Sequence, residues 1–411
     1  MAADPERYRL AEKDLARLFT EYVQPHVFGP HKPSTEPVLV LLGAQPAAGK
    51  SRAQQLIARA HPDIVSLTGD DLRPIHPAYD DLMATDPLAM PNATSQASGR
   101  WVAMSIDHAR EHGYSLLLEG IFRDPDMTVG TAAAFAPTHR VEVVSLAVPE
   151  EISRLDSVGR YLAPSGAPAR WTPAGAHDLG YRMSPQTVQA CEDSEHVQRI
   201  TITDRSGAEL FTNERGPNSA WTGPTGARDT LLHARQLRLE PGAARDWLAR
   251  REDYTAAMVQ RGELNETTLP TFERLHTDAD RVAAHAYPDS EDAPLKRRHD
   301  ASQHVHRYIL DSAASGIPPE LVPAPQTFLA SDRQLAEHGG QNAEVERERQ
   351  RRALLAPEHA RLEDRLRRRA RRALAAPQHE SPQRHNSARD NEVRRPRDHL
   401  HRSRNEPEPG P

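Results

Sequence analysis

The triplet Gly49-Lys50-Ser51 closes the stretch VLVLLGAQPAAGKS, residues 38–51. An apolar run, a small-residue loop and a Gly-Lys-Ser at a helix start are what phosphate binding needs. Loop N–H groups and the helix N-terminus face the anion, the lysine reaches the outer phosphates, and the hydroxyl takes one Mg²⁺ position. The segment Gln45, Pro46, Ala47, Ala48, Gly49, Lys50 and Ser51 is therefore the candidate nucleotide site, with Ser51 placed for a Mg²⁺ position. The spacing is irregular: four residues should separate the first glycine from Gly-Lys, yet that position is Ala44, and Gly43 stands one place early. Ala44 and Ala47 are tolerable where φ is negative.

Three further groups have types suited to phosphoryl transfer. "LTGDDLRPIHP" carries Asp70, Asp71 and Arg73. A carboxylate here can take the proton of an attacking hydroxyl, and either aspartate suits; alternatively one of them caps a short helix. "LLLEGIFRDP" carries Glu119 and Arg123, placed to line the same cleft; the alternative for Glu119 is an ion pair with Lys50 or an arginine. "GRYLAPSGAPARWTP" carries Arg160 and Arg170 around a Gly/Ala/Pro loop. Guanidinium groups of such a lid stabilise charge on a transferred phosphoryl group, and surface arginines are the plain alternative.

These residues need elements to hold them. "PVLVLLG" reads as a buried parallel strand, Lys50 to about Ala60 as a helix, "DIVSLTGDD" as a second strand, and "SQASGRWVAMSIDHAREHG" as a helix ending at Gly113. "YSLLLEG" and "RVEVVSLAV" read as strands, and "QRITITDRSGAELFTN" as an edge hairpin. Alternating strands and helices predict an α/β, phosphate-loop NTPase-type three-layer domain with a mostly parallel sheet, and Lys50 and Asp70 are expected at neighbouring strand tips. The expected organisation is an N-terminal amphipathic helix (1–35), the α/β domain (36–220), a helical appendage (225–336), and an arginine-rich charged helix with a disordered, solvated tail (342–411).

Of 411 residues 27% are charged, 5% aromatic and 35 are proline. No run approaches a membrane span, the N-terminus lacks an apolar signal, and a single cysteine, Cys191, excludes an internal disulfide. A cytoplasmic setting is expected. The net charge of −6 argues against nucleic acid as the main partner. "HDASQHVHRY" lacks good zinc spacing.

Together the motifs over about residues 36–215 resemble the zeta toxin family, kinases of bacterial toxin–antitoxin pairs. The resemblance rests on Gln45-Pro46, on Asp70 to Arg73 followed by His76-Pro77 and Tyr79, and on Glu119-Gly120-Ile121-Phe122-Arg123. Arg160-Tyr161, Ala169-Arg170-Trp171-Thr172-Pro173 and His177-Asp178 complete it. It implies ATP and Mg²⁺, phosphorylation of the sugar 3′-hydroxyl of UDP-N-acetylglucosamine, and a small helical antitoxin that covers the ATP site. It makes Asp70 the general base, Lys50, Arg160 and Arg170 the phosphate-handling cations, Ser51 the metal-side hydroxyl, and Asp71, Arg73, Glu119 and Arg123 the acceptor side. Ala44 and Ala47 replace loop glycines, Ile121 replaces a common threonine, and Ala103 replaces an acid that holds the sugar. Two other readings follow from these departures: a kinase of a different small hydroxyl acceptor, and a non-catalytic, nucleotide-gated interaction module.

Overall fold

The computed structural model describes residues 5–163, 171–236, 238–318, 321–322 and 343–375. Six strands form one sheet: β1 (Val38–Gly43), β2 (Val65–Leu67), β3 (Leu116–Gly120), β4 (Arg140–Leu146), β5 (Arg199–Thr203) and β6 (Glu209–Glu214). Their order is β2-β3-β1-β4-β5-β6. All pairings are parallel except the β5–β6 hairpin. This is the expected α/β three-layer architecture.

Every residue of β1 is buried, and its side chains alternate between two cores. Leu39 and Leu41 join the larger core, while Val38, Val40 and Leu42 join a smaller one. That period-two split requires cover on both faces. The N-terminal helices α1 (Glu12–Leu18) and α2 (Gln24–Phe28) supply part of the larger core. So do α6 (Ser95–His112), α7 (Pro125–Phe135), α9 (Ala174–Asp193) and α10 (Ala227–Ala234). Helix α3 (Lys50–Ala60) covers the smaller core, and α4 (Tyr79–Thr85) and α5 (Met90–Ala93) follow β2.

The amphipathic helix expected at the N-terminus runs continuously from Glu12 to Phe28, with a π-helical stretch inside it. A 3₁₀ turn (Pro5–Tyr8) precedes α1, and a π-helical segment (Phe19–Val23) joins α1 to α2. Pro25 has no N–H to give the carbonyl four residues back, which favours the wider turn. The segment packs on α6, where Trp101 Nε1 donates to Leu15 O at 3.1 Å.

A second core joins α8 (Glu150–Leu162) to α11 (Pro241–Gln260), α12 (Leu269–Ala286) and α13 (Ala293–Ala314). Leu155, Val158 and Tyr161 of α8, with Trp171, meet Trp247, Phe272 and Tyr308 there. Two further helices, α14 (Ala343–Leu354) and α15 (Pro357–Ala375), lie in the stretch expected to be charged and solvated. They are not a solvated pair. Arg351 bonds Glu348 at 2.8 Å and Glu363 at 2.6 Å, all three being buried, and Tyr308 on α13 donates to Glu363 at 2.9 Å. Residues 376–411 lie outside the described set. Among the described residues no helix is long and apolar enough to cross a membrane.

Candidate active site

The strand order alters the expected geometry. β2 does not adjoin β1; β3 lies between them, in register with Leu42 opposite Glu119 and Gly43 opposite Gly120. Lys50 and Asp70 therefore come from strand tips one strand apart, and Glu119 stands between them.

Lys50 opens α3 and is buried. Its Nζ donates to Ala44 O at 2.9 Å and Gln45 O at 3.1 Å and lies 3.7 Å from Glu119 Oε1. Gln54, one helical turn beyond Lys50, donates to Glu119 Oε2 at 2.5 Å. Burial raises the Glu119 pKa, opposed by Lys50 and Arg160. The ammonium is thus held inside the curl of the loop by neutral carbonyls and a carboxylate, groups that an entering phosphate could replace.

Gly49 takes φ +96° and Ala47 φ +58°. Ala47 therefore occupies the left-handed region rather than the negative φ that would spare it, at a cost of roughly 1–2 kcal/mol for a residue with a Cβ. Ala44 does not share this conformation and is fully buried. The early glycine has a different task. A Cβ on Gly43 would lie 2.1 Å from the Phe122 ring, so Gly43 is the flat floor on which that ring rests. Phe122 itself has φ +51°, and Thr187 Oγ1 donates to its carbonyl at 2.9 Å. The segment after β3 is thereby bent back over the end of β1.

A cleft of ≈380 Å³ opens beside this bend, lined by Asp70, Glu119, Ile121, Phe122 and Arg123, with Val102 and Ile106 of α6 among its apolar walls. Asp70 accepts from Arg73 Nε at 3.0 Å, and Arg73 Nη1 also reaches Pro91 O and Thr94 Oγ1 at 2.7 Å each. Arg73 fixes the Asp70 turn and does not line the cleft. Asp71 is exposed and lines a neighbouring groove with His26 and His31, and its charge helps raise the Glu119 pKa. Neither aspartate caps a helix: the 3₁₀ turn Arg73–Ile75 has no side-chain cap. Asp124 caps α7 by accepting from Met127 N at 3.0 Å, which aligns the exposed Arg123 at the cleft mouth.

Arg160, near the end of α8, donates to Thr172 Oγ1 at 2.9 Å. Burial lowers its pKa and Glu119 opposes the shift, which brings this guanidinium into the electrostatic reach of the Lys50–Glu119 pair. Arg170 lies outside the described residues. The His76-Pro77 and His177-Asp178 motifs are structural ties. His76 bonds Tyr8 O and accepts from Ala78 N, and His177 bonds Ser153 Oγ at 2.9 Å. The Gln45 side chain also points into the protein, to Val148 O at 2.8 Å. Ala103 is absent from the cleft lining, whereas Ile121 is part of it.

Two residues were not anticipated. Arg205, in the β5–β6 turn, donates to Ala47 O at 3.3 Å, packs against Gly49 and pairs with Asp156. Gln54 was within reach of sequence reasoning, because it follows Lys50 by four positions on one helix. Among the described residues Glu150, Glu151 and Asp278 form the one grouping with metal-ligand spacing, and Arg154 and Arg281 already pair with it.

A parallel sheet whose first strand feeds a small-residue loop, a buried lysine and a helix, with acids at the adjoining strand tips, defines a phosphate-loop α/β domain. Residues 26–216 match the family model for the zeta toxin. A Toxin zeta of Streptococcus agalactiae is 27% identical over 187 residues, 44% of this chain and 65% of that protein. A Toxin zeta of Enterococcus hirae is 26% identical over 216 residues, 51% of this chain and 74% of its own length. A solved structure from the PezAT chromosomal toxin–antitoxin system of Streptococcus pneumoniae shares the fold, with TM-score 0.50, 20% identity and coverage of 60% of this chain and 98% of that one.

Proposed function

We propose that this chain is an ATP-dependent kinase that phosphorylates a sugar hydroxyl of a nucleotide sugar, with the 3′-hydroxyl of UDP-N-acetylglucosamine as first candidate, and that it is the toxin of a toxin–antitoxin pair. The observation that carries the reading is the convergence of Asp70, Glu119 and Arg123 on one cleft, with Glu119 paired to Lys50 of the phosphate loop. The residues suit the ligands. The curled loop and α3 N-terminus present N–H donors to an anion. Ser51 sits in the first turn of α3, and Mg²⁺ needs only one or two protein oxygens when phosphates supply the rest. ATP with Mg²⁺ would supply the transferable phosphoryl group and part of its charge neutralisation.

In this reading Lys50 exchanges its carbonyl partners for phosphate oxygens, and Arg160 adds positive charge from the α8 side. Asp70, oriented by Arg73, takes the acceptor's hydroxyl proton as the new O–P bond forms and the bond to ADP breaks. Arg123 and Glu119 orient the acceptor. A helical antitoxin that occludes the nucleotide side would silence the site.

The test is ³¹P NMR and mass analysis of UDP-N-acetylglucosamine incubated with ATP, Mg²⁺ and the protein. Asp70→Asn should lower turnover by about 10²–10⁴-fold. Unchanged turnover in that variant overturns the base assignment. The apolar side chains of Ile121, Val102 and Ile106 in the cleft favour a second reading, a kinase of a less polar hydroxyl acceptor. Transfer to another acceptor, with none to UDP-N-acetylglucosamine, selects it.

A further inference from the structure

Arg235 follows α10, beyond the residues that match the zeta toxin family. It is 4% exposed, and among the described residues no carboxylate forms an ion pair with it. Its fork instead holds three neutral oxygens. Nη1 donates to Tyr181 O at 2.7 Å, and Nη2 donates to Ser184 Oγ at 2.6 Å and Gln45 Oε1 at 3.0 Å. The guanidinium also lies over the Tyr181 ring, 4.5 Å from its centroid. Burial pulls its pKa down to about 10, so it remains charged at neutral pH.

A buried cation whose direct partners are all neutral, with the Glu150 charge acting only from a distance, is costly, and its neighbours must be fixed to make it tolerable. One of those neighbours belongs to the phosphate loop. Gln45 is fully buried, and its amide is saturated from both ends: Oε1 by Arg235, Nε2 by Val148 O at 2.8 Å and Ser153 Oγ at 3.2 Å. The same residue's backbone carbonyl receives Lys50 Nζ. Gly180 allows the approach, since a Cβ there would lie 3.2 Å from the Gln45 Cα. Side chain and carbonyl of Gln45 thus connect a remote guanidinium to the lysine that handles phosphate.

We infer that Arg235 is a positioning residue for nucleotide binding, acting through Gln45, so that the phosphate loop is completed by a residue outside the matched domain. The inference rests on the nucleotide-binding reading above. Lysine at this position keeps the charge but cannot span three acceptors in one plane.

The experiment titrates the full chain with a fluorescent N-methylanthraniloyl ATP and records a thermal melt for each variant. Arg235→Lys and Gln45→Leu should each weaken nucleotide binding about tenfold or more, and the double variant should be no weaker than the worse single, because both act through one bond. The KM for the acceptor should not move. Arg235→Met should be weaker still; where it fails to fold, Arg235→Lys and Gln45→Leu decide. Variants with lowered melting temperature but wild-type nucleotide affinity, or fully additive losses, overturn the inference. A wild-type chain that binds no nucleotide overturns the functional reading itself, which separates the two failures.

Discussion

The position of Gly43 yields the sharpest prediction. Replacing it with alanine puts a methyl 2.1 Å from Cγ and Cδ1 of Phe122 and 2.3 Å from Cδ2. Carbon atoms prefer separations of about 3.5–4.0 Å, so the ring must retreat by roughly 1.5 Å. It has little room to do so. Phe122 is 6% exposed, its backbone lies at positive φ, and Thr187 grips its carbonyl. Overpacking of this kind costs about 1–3 kcal/mol, and the constrained backbone places Gly43→Ala near the upper end. The retreat also displaces Glu119 to Arg123, and a shift of about 1 Å at reacting groups can cost roughly 10²-fold in rate. Urea unfolding and steady-state kinetics should therefore show a loss of about 2–3 kcal/mol and a fall in kcat larger than any rise in the KM for ATP. In a Phe122→Ala background the clash has no partner, and Gly43→Ala should then cost less than about 1 kcal/mol. Wild-type stability and turnover in Gly43→Ala, or an equal penalty in both backgrounds, refutes the reasoning.

The two loop alanines should respond in opposite directions. Ala47→Gly relieves a left-handed strain and is expected to be neutral to about 1 kcal/mol stabilising, while Ala44→Gly, at a buried site without positive φ, should cost about 1 kcal/mol; urea midpoints separate them. Asp178 is buried enough for desolvation to raise its pKa, yet its bonds to His177, Arg274 and Arg154 prevail and bring it down to about 2. A depressed carboxylate stabilises the fold above its unfolded value and loses that contribution as pH falls toward the folded one. Asp178→Asn should therefore cost about 1 kcal/mol at pH 7, after discounting for its partial exposure, and the gap to wild type in urea midpoint should close between about pH 4 and pH 2. A gap that is constant across that range rejects the assignment.

What could be read from the sequence was local. β1, α3 and the helix that stops at Gly113, where φ is +71°, each carry their signal within one stretch of chain. Strand order carries no such signal, because it depends on which way each crossover turns; hence the misplacement of Asp70 next to Lys50's strand. Arg73 was grouped with the acceptor residues because its position in a motif says nothing of which way its fork points. Arg205 and Arg235 escaped notice because they reach the loop from more than 150 residues away and sit in no recognisable pattern. Arg351 and Arg367 read as solvated charges, and only the pairing of two helices shows that Glu348 and Glu363 neutralise them in a buried layer.

Helix α8 turns one side toward the phosphate loop, through Ser153 and Gln45, and the other toward the helices that follow the matched domain. Its Arg154 pairs with Asp278 of α12, and Trp247 of α11 donates to Glu151 O at 3.0 Å. A chain cut near residue 216 would leave Leu155, Val158, Tyr161 and Trp171 as a naked greasy flank beside Arg160. The smallest portion able to stand alone in solution is consequently larger than the part shared with its relatives, and anyone trimming this protein for crystals or for expression should keep the chain at least through α13.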